Sequence, residues 1–499
     1  MWAARSRANT GRSRLSLHFA LCTLNLLAIA LLLALPTPSR AENIGTIRLP
    51  ENFPGLPTPD KFRSLIDPPA LNNSWAEPGH RPLGVHLDNY DLTREQIDAA
   101  QSTGCGLVRL AIPMEQFISE AQPDWAVLDQ VLSRLKRANF EILPVLTAKA
   151  AVPEFYIEFC RNIAARYGET FQYYQLLDNI NYAVGVQSKD YADLVSRARM
   201  AIILADPDAV IVSGGIRGAD MGYLEMLAKQ RALSSLDVLA FNLMPPKGGI
   251  ESIADVRPEH CLPNMQDAIA WAREHGKRVW VTSFGVSTAY NWVGVDQPEQ
   301  ASMYARGALY LGYIGVERII FSAIQDSDPD QQQPARCCGL LDVYGAPKAS
   351  YFALRTLNRA IAGAYHVAPP FLYQGWTYEQ PEAKDLLIAD ELKNAPGIDA
   401  LSAFQVHNLQ VFAFWFYAPE PQEYRMVYWL SGPRARPTLI TLNLGSIGIT
   451  PLDRFILLDN APSPVAYEFA QNFLYLPYQP LDEIPGVIRF EVNEHGRAG

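Results

Sequence analysis

Eight short apolar runs, each followed by a stretch spaced as an amphipathic helix, constrain this chain more than any other feature. The runs are LGVHL (83–87), LVRLA (107–111), EILPVL (141–146), QYYQLL (172–177), AVIVS (209–213), DVLAFNL (237–243), VWVTSF (279–284) and RIIFSAI (318–324). Helical periodicity fills, for example, 125–138, 153–166, 189–204 and 298–312. Strands that are apolar throughout are buried on both faces, the condition of parallel strands covered by helices. Eight such units over about 280 residues predict a closed (β/α)8 TIM barrel. An open doubly wound sheet is the rival. It normally carries a glycine fingerprint after its first strand, and His86-Leu87-Asp88-Asn89-Tyr90 is not one.

The barrel accounts for 81–362 of the 499 residues. Beyond about Gly363 the helical periodicity stops and strand-like runs take over: Leu409–Phe416, Arg425–Leu430, Thr438–Leu444, Phe455–Leu458 and Val487–Val492. Turn residues such as Ser431-Gly432-Pro433 separate them. Residues 363–499 therefore predict a small antiparallel β-sandwich domain. Residues 42–80 are rich in Pro and Asn with little periodicity and read as a leader over the domain surface. Residues 1–41 read as an export signal. Arg5, Arg7, Arg12 and Arg14 precede the apolar stretch Leu15–Leu35, and Ser39-Arg40-Ala41 offers small residues at cleavage spacing. The rival is an uncleaved anchor, since about 20 apolar residues just span a bilayer. Either reading places the bulk of the protein outside the cytoplasm.

Charge narrows the partners. The chain carries a formal −10, and removing 1–41 takes five Arg and no acid, leaving −15. An acidic chain without a basic run is a poor match for nucleic acid or an anionic membrane surface, so any membrane contact runs through the N-terminal segment. Of six cysteines, Cys22 lies in the signal segment, and Cys105, Cys160, Cys261 and the pair Cys337-Cys338 are scattered. None has metal-ligand spacing, so no metal and no cofactor is expected, and most read as buried small hydrophobes. One disulfide is open, with its pairing undetermined.

Function in such a barrel sits on the loops after the strands, and there the chain resembles a known family. Arg-Tyr-Gly-(x)4-Tyr-Tyr-Gln-Leu-Leu-Asp-Asn-Ile-Asn (166–181) resembles the fourth-strand motif of clan-A retaining glycoside hydrolases, usually Arg-Tyr-Gly … Tyr-Trp-Glu-x-Trp-Asn-Glu-Pro-Asn. Ala-Asp-Pro-Asp-Ala-Val-Ile-Val-Ser-Gly-Gly (205–215) is similar to their fifth strand. Lys-Arg-Val-Trp-Val-Thr-Ser-Phe-Gly (277–285) is similar to the seventh, normally Lys-Pro-Ile-Trp-Ile-Thr-Glu-Phe-Gly. Val-Arg-Leu-Ala-Ile-Pro (108–113) resembles the second, with Arg109 on the family's arginine, and 339–351 resembles the closing segment. The resemblance spans about 83–360 and is nearest to family 39 and its exopolysaccharide-associated bacterial relatives.

The departures decide what that resemblance implies. Retaining hydrolysis needs two carboxyl groups about 5–5.5 Å apart, one acid/base and one nucleophile. At the family's acid/base position this chain has Asn179, and at its nucleophile position Ser283. Asp178 replaces the family's Asn, Ile180 its Pro, and the sixth-strand region reads Asn242-Leu243-Met244. An amide has no proton to give at neutral pH, and a hydroxyl without a base is a weak nucleophile. Asp178 would serve as the acid only by slipping one register, against the parity that sends adjacent strand residues to opposite faces. Asp326 and Asp328, after the eighth strand, pair on paper with Asp88 or Asp91 after the first, at a separation suited to inversion. The plainer reading makes them solvated loop acids and caps. Ser283 lacks the nucleophile-elbow setting of a serine hydrolase, and His86 reads as a structural histidine near the mouth.

Binding survives the loss of hydrolysis. Tyr290 and Trp292 in the loop after the seventh strand, and Tyr90 and Tyr182 after the first and fourth, offer flat rings for pyranose faces, with Asp88, Asp178, Asn179, Asn242 and Ser283 as polar partners. Arg109 would pair with Asp178 or with a substrate carboxylate. The expectation is an exported glycoside-hydrolase-like pseudoenzyme that binds a carbohydrate or a cell-envelope partner. The alternatives are an active glycosidase with relocated carboxylates and a structural or assembly scaffold; fold alone does not separate them.

Overall fold

A computed structural model gives the fold. It describes Trp75 and residues 81–87, 92–117, 125–149, 152–182, 188–247, 249–250, 258–260, 262–291, 293–367, 373–377, 410–431, 438–443, 448–458, 461–470, 473–479 and 484–492. The export signal, nearly all of the 42–80 leader, Asp88, Tyr90, Asp91, Cys261 and Trp292 lie outside the described residues.

The eight strands are β1 (Leu83–Leu87), β2 (Leu107–Pro113), β3 (Glu141–Thr147), β4 (Tyr173–Leu176), β5 (Val210–Val212), β6 (Val238–Leu243), β7 (Arg278–Phe284) and β8 (Arg318–Phe321). Each pairs in parallel with its neighbour, β5 joins β6 through Val212 and Val238, and β8 returns to β1. The barrel is closed. Around it run α1 (Arg94–Ser102), α2 (Trp125–Arg137), α3 (Pro153–Tyr167), α4 (Ser188–Ala205), α5 (Met221–Lys229), α6 (Leu262–Glu274), α7 (Gln297–Ile314) and α8 (Ala349–Ile361). Several helices start where the sequence supplies a cap. Thr93 and Gln96 close a capping box on α1, while Asp220 and Asp296 accept from the first turns of α5 and α7. Gly315, at φ 107°, ends α7 in a left-handed turn that only glycine enters at little cost.

Strand parity divides the residues between two cores. Leu107, Leu143, Tyr173, Val212, Val238, Ala240, Trp280 and Ile320 form a cluster of their own, the packed barrel interior. Two residues further along their strands, the same parity gives Arg109, Gln175 and Asn242, which are all buried. The intervening residues, such as Val108, Leu110, Tyr174 and Phe241, pack outward in the larger core that includes the helices.

After α8 the chain builds an antiparallel sandwich. One sheet contains β9 (Tyr365–Val367), β11 (Gln410–Ala418), β12 (Glu423–Ser431), β17 (Gly486–Val492) and β14 (Ile449–Ile456), in that order. The other contains β10 (Tyr373–Thr377), β13 (Thr438–Asn443), β16 (Phe473–Gln479) and β15 (Glu468–Ala470). Trp415, Met426, Tyr428 and Ile488 face Ile440, Leu442, Leu474 and Leu476 of the second sheet. Their alternates Phe414, Phe416, Val427, Trp429 and Val487 join the barrel's core instead. Both faces of this sheet are buried at the middle of β11 and β12, which is why β11 reads as a continuous apolar run. Phe414 stacks on Trp429 at 5.3 Å, and Tyr310 of α7 meets both rings edge-on. The Arg425 guanidinium donates to the carbonyls of Ala360 and Ala362 at the end of α8, where the helix dipole favours a cation.

Cys105, Cys160, Cys337 and Cys338 are buried free thiols. Burial pushes the Cys105 thiol up to about 11, consistent with an inert packing residue. Among the described residues no helix is long and apolar enough to cross a membrane.

Candidate functional site at the barrel mouth

The C-terminal end of β4 departs from regular strand geometry. Leu177 and Asn179 have φ of 66° and 50°, left-handed values that cost a leucine roughly 1–2 kcal/mol and an asparagine less. The first places Leu177 in the outer core and turns Asp178 back toward β2 and β6. Strand parity, which had sent Asp178 to the opposite face from its neighbour, ceases to apply because β4 ends at Leu176.

Asp178 Oδ1 lies 2.9 Å from Arg109 Nη2 and accepts a 2.9 Å hydrogen bond from Asn242 Nδ2. The same Asn242 amide donates to Asn179 Oδ1 at 3.1 Å. Gln175 accepts from Arg109 Nε at 3.0 Å, and His86 Nδ1 sits 3.3 Å from Arg109 Nη1. Thr282 donates to Asn242 Oδ1 at 3.2 Å. Burial alone would raise the Asp178 pKa. The Arg109 charge, with the hydrogen bond from Asn242, outweighs it and holds the carboxyl below its usual range. Asp178 is therefore an ionised acceptor at neutral pH and has no proton to donate.

Ser283 reaches this layer through a bulge in β7. Phe241 pairs with Val281, but Asn242 pairs with Ser283, so one extra residue is inserted there. Bulges of this kind re-aim side chains beside sites. The Ser283 hydroxyl donates to Ser322 Oγ at 3.2 Å. Asn179 and Ser283 thus flank Asn242, one through its amide and the other as its strand partner.

Gly215 makes the arrangement fit. A Cβ there would stand 2.3 Å from both Asn242 Nδ2 and Asp178 Oδ1. Gly214 beside it has a different neighbour, the Ile180 side chain, which a Cβ would meet at 2.3 Å. Gly215→Ala is expected to lower stability by about 2 kcal/mol, because neither anchored polar group can retreat. A chemical denaturation curve unchanged from the parent would refute the constraint.

The remaining predicted residues divide. Tyr182 is 68% exposed beneath the Arg217 guanidinium, 4.4 Å from the ring centre, and its backbone N–H donates to Asn179 O. Tyr290 is also exposed, tied by its backbone N–H to Gln331 O. Asp326 and Asp328, read as solvated loop acids, are both buried. Asp326 takes Lys348 Nζ at 3.0 Å and the Gly339 N–H at 2.6 Å. Burial raises its pKa despite those partners. Asp328 accepts from the backbone N–H groups of Asp330, Gln332 and Gln333, which lower its pKa and fold the loop around it. Sequence reasoning missed Gln175 and Thr282 as members of the network, although parity along β4 places Gln175 inside. Among the described residues no group of three or more His, Cys, Asp or Glu is placed to hold a metal ion.

No protein-family model matches the chain, and no curated protein matches it. Solved structures do. A family 39 glycoside hydrolase from Bacteroides cellulosilyticus WH2 superposes with a TM-score of 0.58 at 15% identity, over 84% of this chain and 82% of its own. A glucosidase from Croceicoccus marinus gives 0.55 at 12% identity, over 86% and 98%. The family 39 enzyme of Xanthomonas axonopodis pv. citri gives 0.52 at 14%, over 83% and 95%. The closed parallel barrel followed by a β-sandwich is the fold this chain shares with family 39 and other clan-A glycoside hydrolases.

Proposed function

We propose that the protein is an exported, catalytically silent relative of these hydrolases that binds a glycan of the cell envelope at the barrel mouth. The observation that carries this reading is the state of Asp178. Among the described residues it is the carboxylate of the mouth network, and Arg109 with Asn242 keeps it ionised. A retaining mechanism needs a protonated acid and a carboxylate nucleophile side by side. The positions that resemble those two hold Asn179 and Ser283. The polar groups that remain are suited to hydroxyls, and Tyr182 supplies an exposed ring beside them. The N-terminal basic and apolar segments support export, with 42–80 as leader, 81–362 as barrel and 363–499 as β domain.

One observation favours the rival, an active glycosidase with relocated carboxylates. The raised pKa of Asp326 is what a general acid needs. Its engagement with Lys348 and Gly339 argues for a buried strut instead.

A screen of aryl glycosides and polysaccharides, run beside a glycan array, separates the readings. Binding with turnover no higher than a blank is expected. Turnover that disappears in Asp178→Ala or Asp326→Ala overturns the proposal, and neither binding nor turnover supports a scaffold.

A further inference from the structure

The barrel's C-terminal face carries a concavity apart from the Asp178 network, between the start of α1 and the loop that follows β8. It is a surface cavity of about 310 Å³ whose lining includes Glu95, Gln96, Gln325, Leu341, Tyr344 and Tyr351. That volume lies at the lower end of small-molecule sites and accommodates one or two sugar rings.

Its polar groups are fixed in advance. Gln96 Nε2 donates to Gln325 Oε1 at 2.9 Å, and Gln96 Oε1 accepts from the Thr93 N–H at 3.1 Å. Gln325 Nε2 donates to Val343 O at 3.0 Å. Each amide has two N–H groups and two lone pairs, so after these bonds each keeps a donor and an acceptor for a ligand. Tyr351, at the cavity wall, is buried with its hydroxyl against Ser102 Oγ.

Tyr344 is different. It is 88% exposed, on a turn whose Asp342 Oδ1 accepts from the N–H groups of Tyr344 and Ala346. What sets this ring apart from other exposed residues is its place: it lines the same cavity as the pre-positioned amides of Gln96 and Gln325. Among the described residues that line the cavity there is no Lys, Arg or His, and Glu95 adds a negative charge, which disfavours anionic sugars.

We infer that this rim cavity is a second subsite for a neutral hexose unit, with Tyr344 as the stacking platform and Gln96 and Gln325 bonding ring hydroxyls. The ligand class rests on the glycan reading of the mouth; the location does not. Both sites lie on loops after strands, so a chain seated at the mouth extends over the β8–β1 rim on the same face.

The test is calorimetric titration of the purified protein with the β-linked tetrasaccharides of glucose, mannose and galactose. Tyr344→Ala is expected to weaken the best of them about tenfold, with Tyr344→Phe within about twofold of the parent, because the ring and not the hydroxyl does the stacking. Gln325→Leu shifts affinity in the same direction. Tyr182→Ala reports on the mouth. Loss with Tyr344→Ala but not with Tyr182→Ala keeps the rim site and removes the mouth reading. Loss with Tyr182→Ala alone overturns the rim site, and a parent protein that binds none of the three overturns both.

Discussion

Arg109→Met is expected to destabilise the protein by about 2–3 kcal/mol and to raise the Asp178 pKa. Removing one partner of a buried ion pair typically costs about 3–5 kcal/mol, because the other charge remains without compensation. The figure is discounted here because the Asp178 side chain is 25% exposed and water takes over part of the role. Methionine fills most of the arginine's volume, so the loss reports on charge more than on packing. Arg109 also donates to Gln175, and that bond falls with it. The double variant Arg109→Met/Asp178→Asn removes both charges and is expected to regain more than half of the loss. Denaturant unfolding of the four proteins gives the coupling directly. A coupling near zero would mean that Arg109 does not set the ionisation of Asp178, and the argument for a silent mouth would lose its electrostatic basis. A pH-dependent glycosidase activity appearing in Arg109→Met would carry the opposite message, that Asp178 becomes an acid once released.

The barrel was legible because each of its strands is buried on both sides and so is written in unbroken apolar residues. All eight runs lie within about three residues of the observed strands, and α2, α3, α4 and α7 within two of theirs. In the sandwich, the runs expected for β11, β12, β13 and β17 lie within about two residues of the observed strands, while Phe455–Leu458 catches only the last two residues of β14. The strand β16 was not legible. Its Pro477 interrupts a strand pattern, and the chain accommodates it at an irregularity where Thr438 pairs with Gln479 but Ile440 with Leu476. The three-residue β9 and β15 are not set in longer apolar runs, and Gln374-Gly375 breaks the pattern of β10.

At the site, the residue types were legible and their directions were not. Arg109 and Asn242, singled out through the resemblance, lie within regular strands, so parity along β2 and β6 accounts for where they sit. It failed at Asp178, because nothing in Leu-Leu-Asp-Asn-Ile signals a leucine and an asparagine in left-handed conformation. Nor does Val-Thr-Ser-Phe announce the bulge that brings Ser283 opposite Asn242. Burial of Asp326 also escaped the sequence, since its partner Lys348 lies 22 residues away across a loop.

The second large effect lies where the barrel meets the sandwich. His366 sits in β9 among the rings of Tyr313, Phe414 and Phe416, with centroids 6.0, 6.0 and 5.5 Å away. Burial in this aromatic setting lowers its pKa from an ordinary 6.5 to about 4. The unfolded chain therefore takes up a proton near 6.5, while the folded chain remains neutral there until about 4. Between those values the unfolded state binds more protons, so the contribution of His366 to stability falls as pH falls through the window and levels off below it. The full effect is at most about 3 kcal/mol. His366→Phe keeps a ring among rings and removes the titration. Its stability is expected to exceed that of the parent increasingly as pH is lowered from 7 to 4, with the two proteins similar at pH 8. Carboxylates such as Asp178 and Asp328, whose pKa values are lowered, titrate mostly below this window and do so equally in both proteins. Parallel stability curves from pH 8 to pH 4 would refute the neutral, buried imidazole. Diverging curves would assign that share of the protein's acid sensitivity to the buried imidazole of His366.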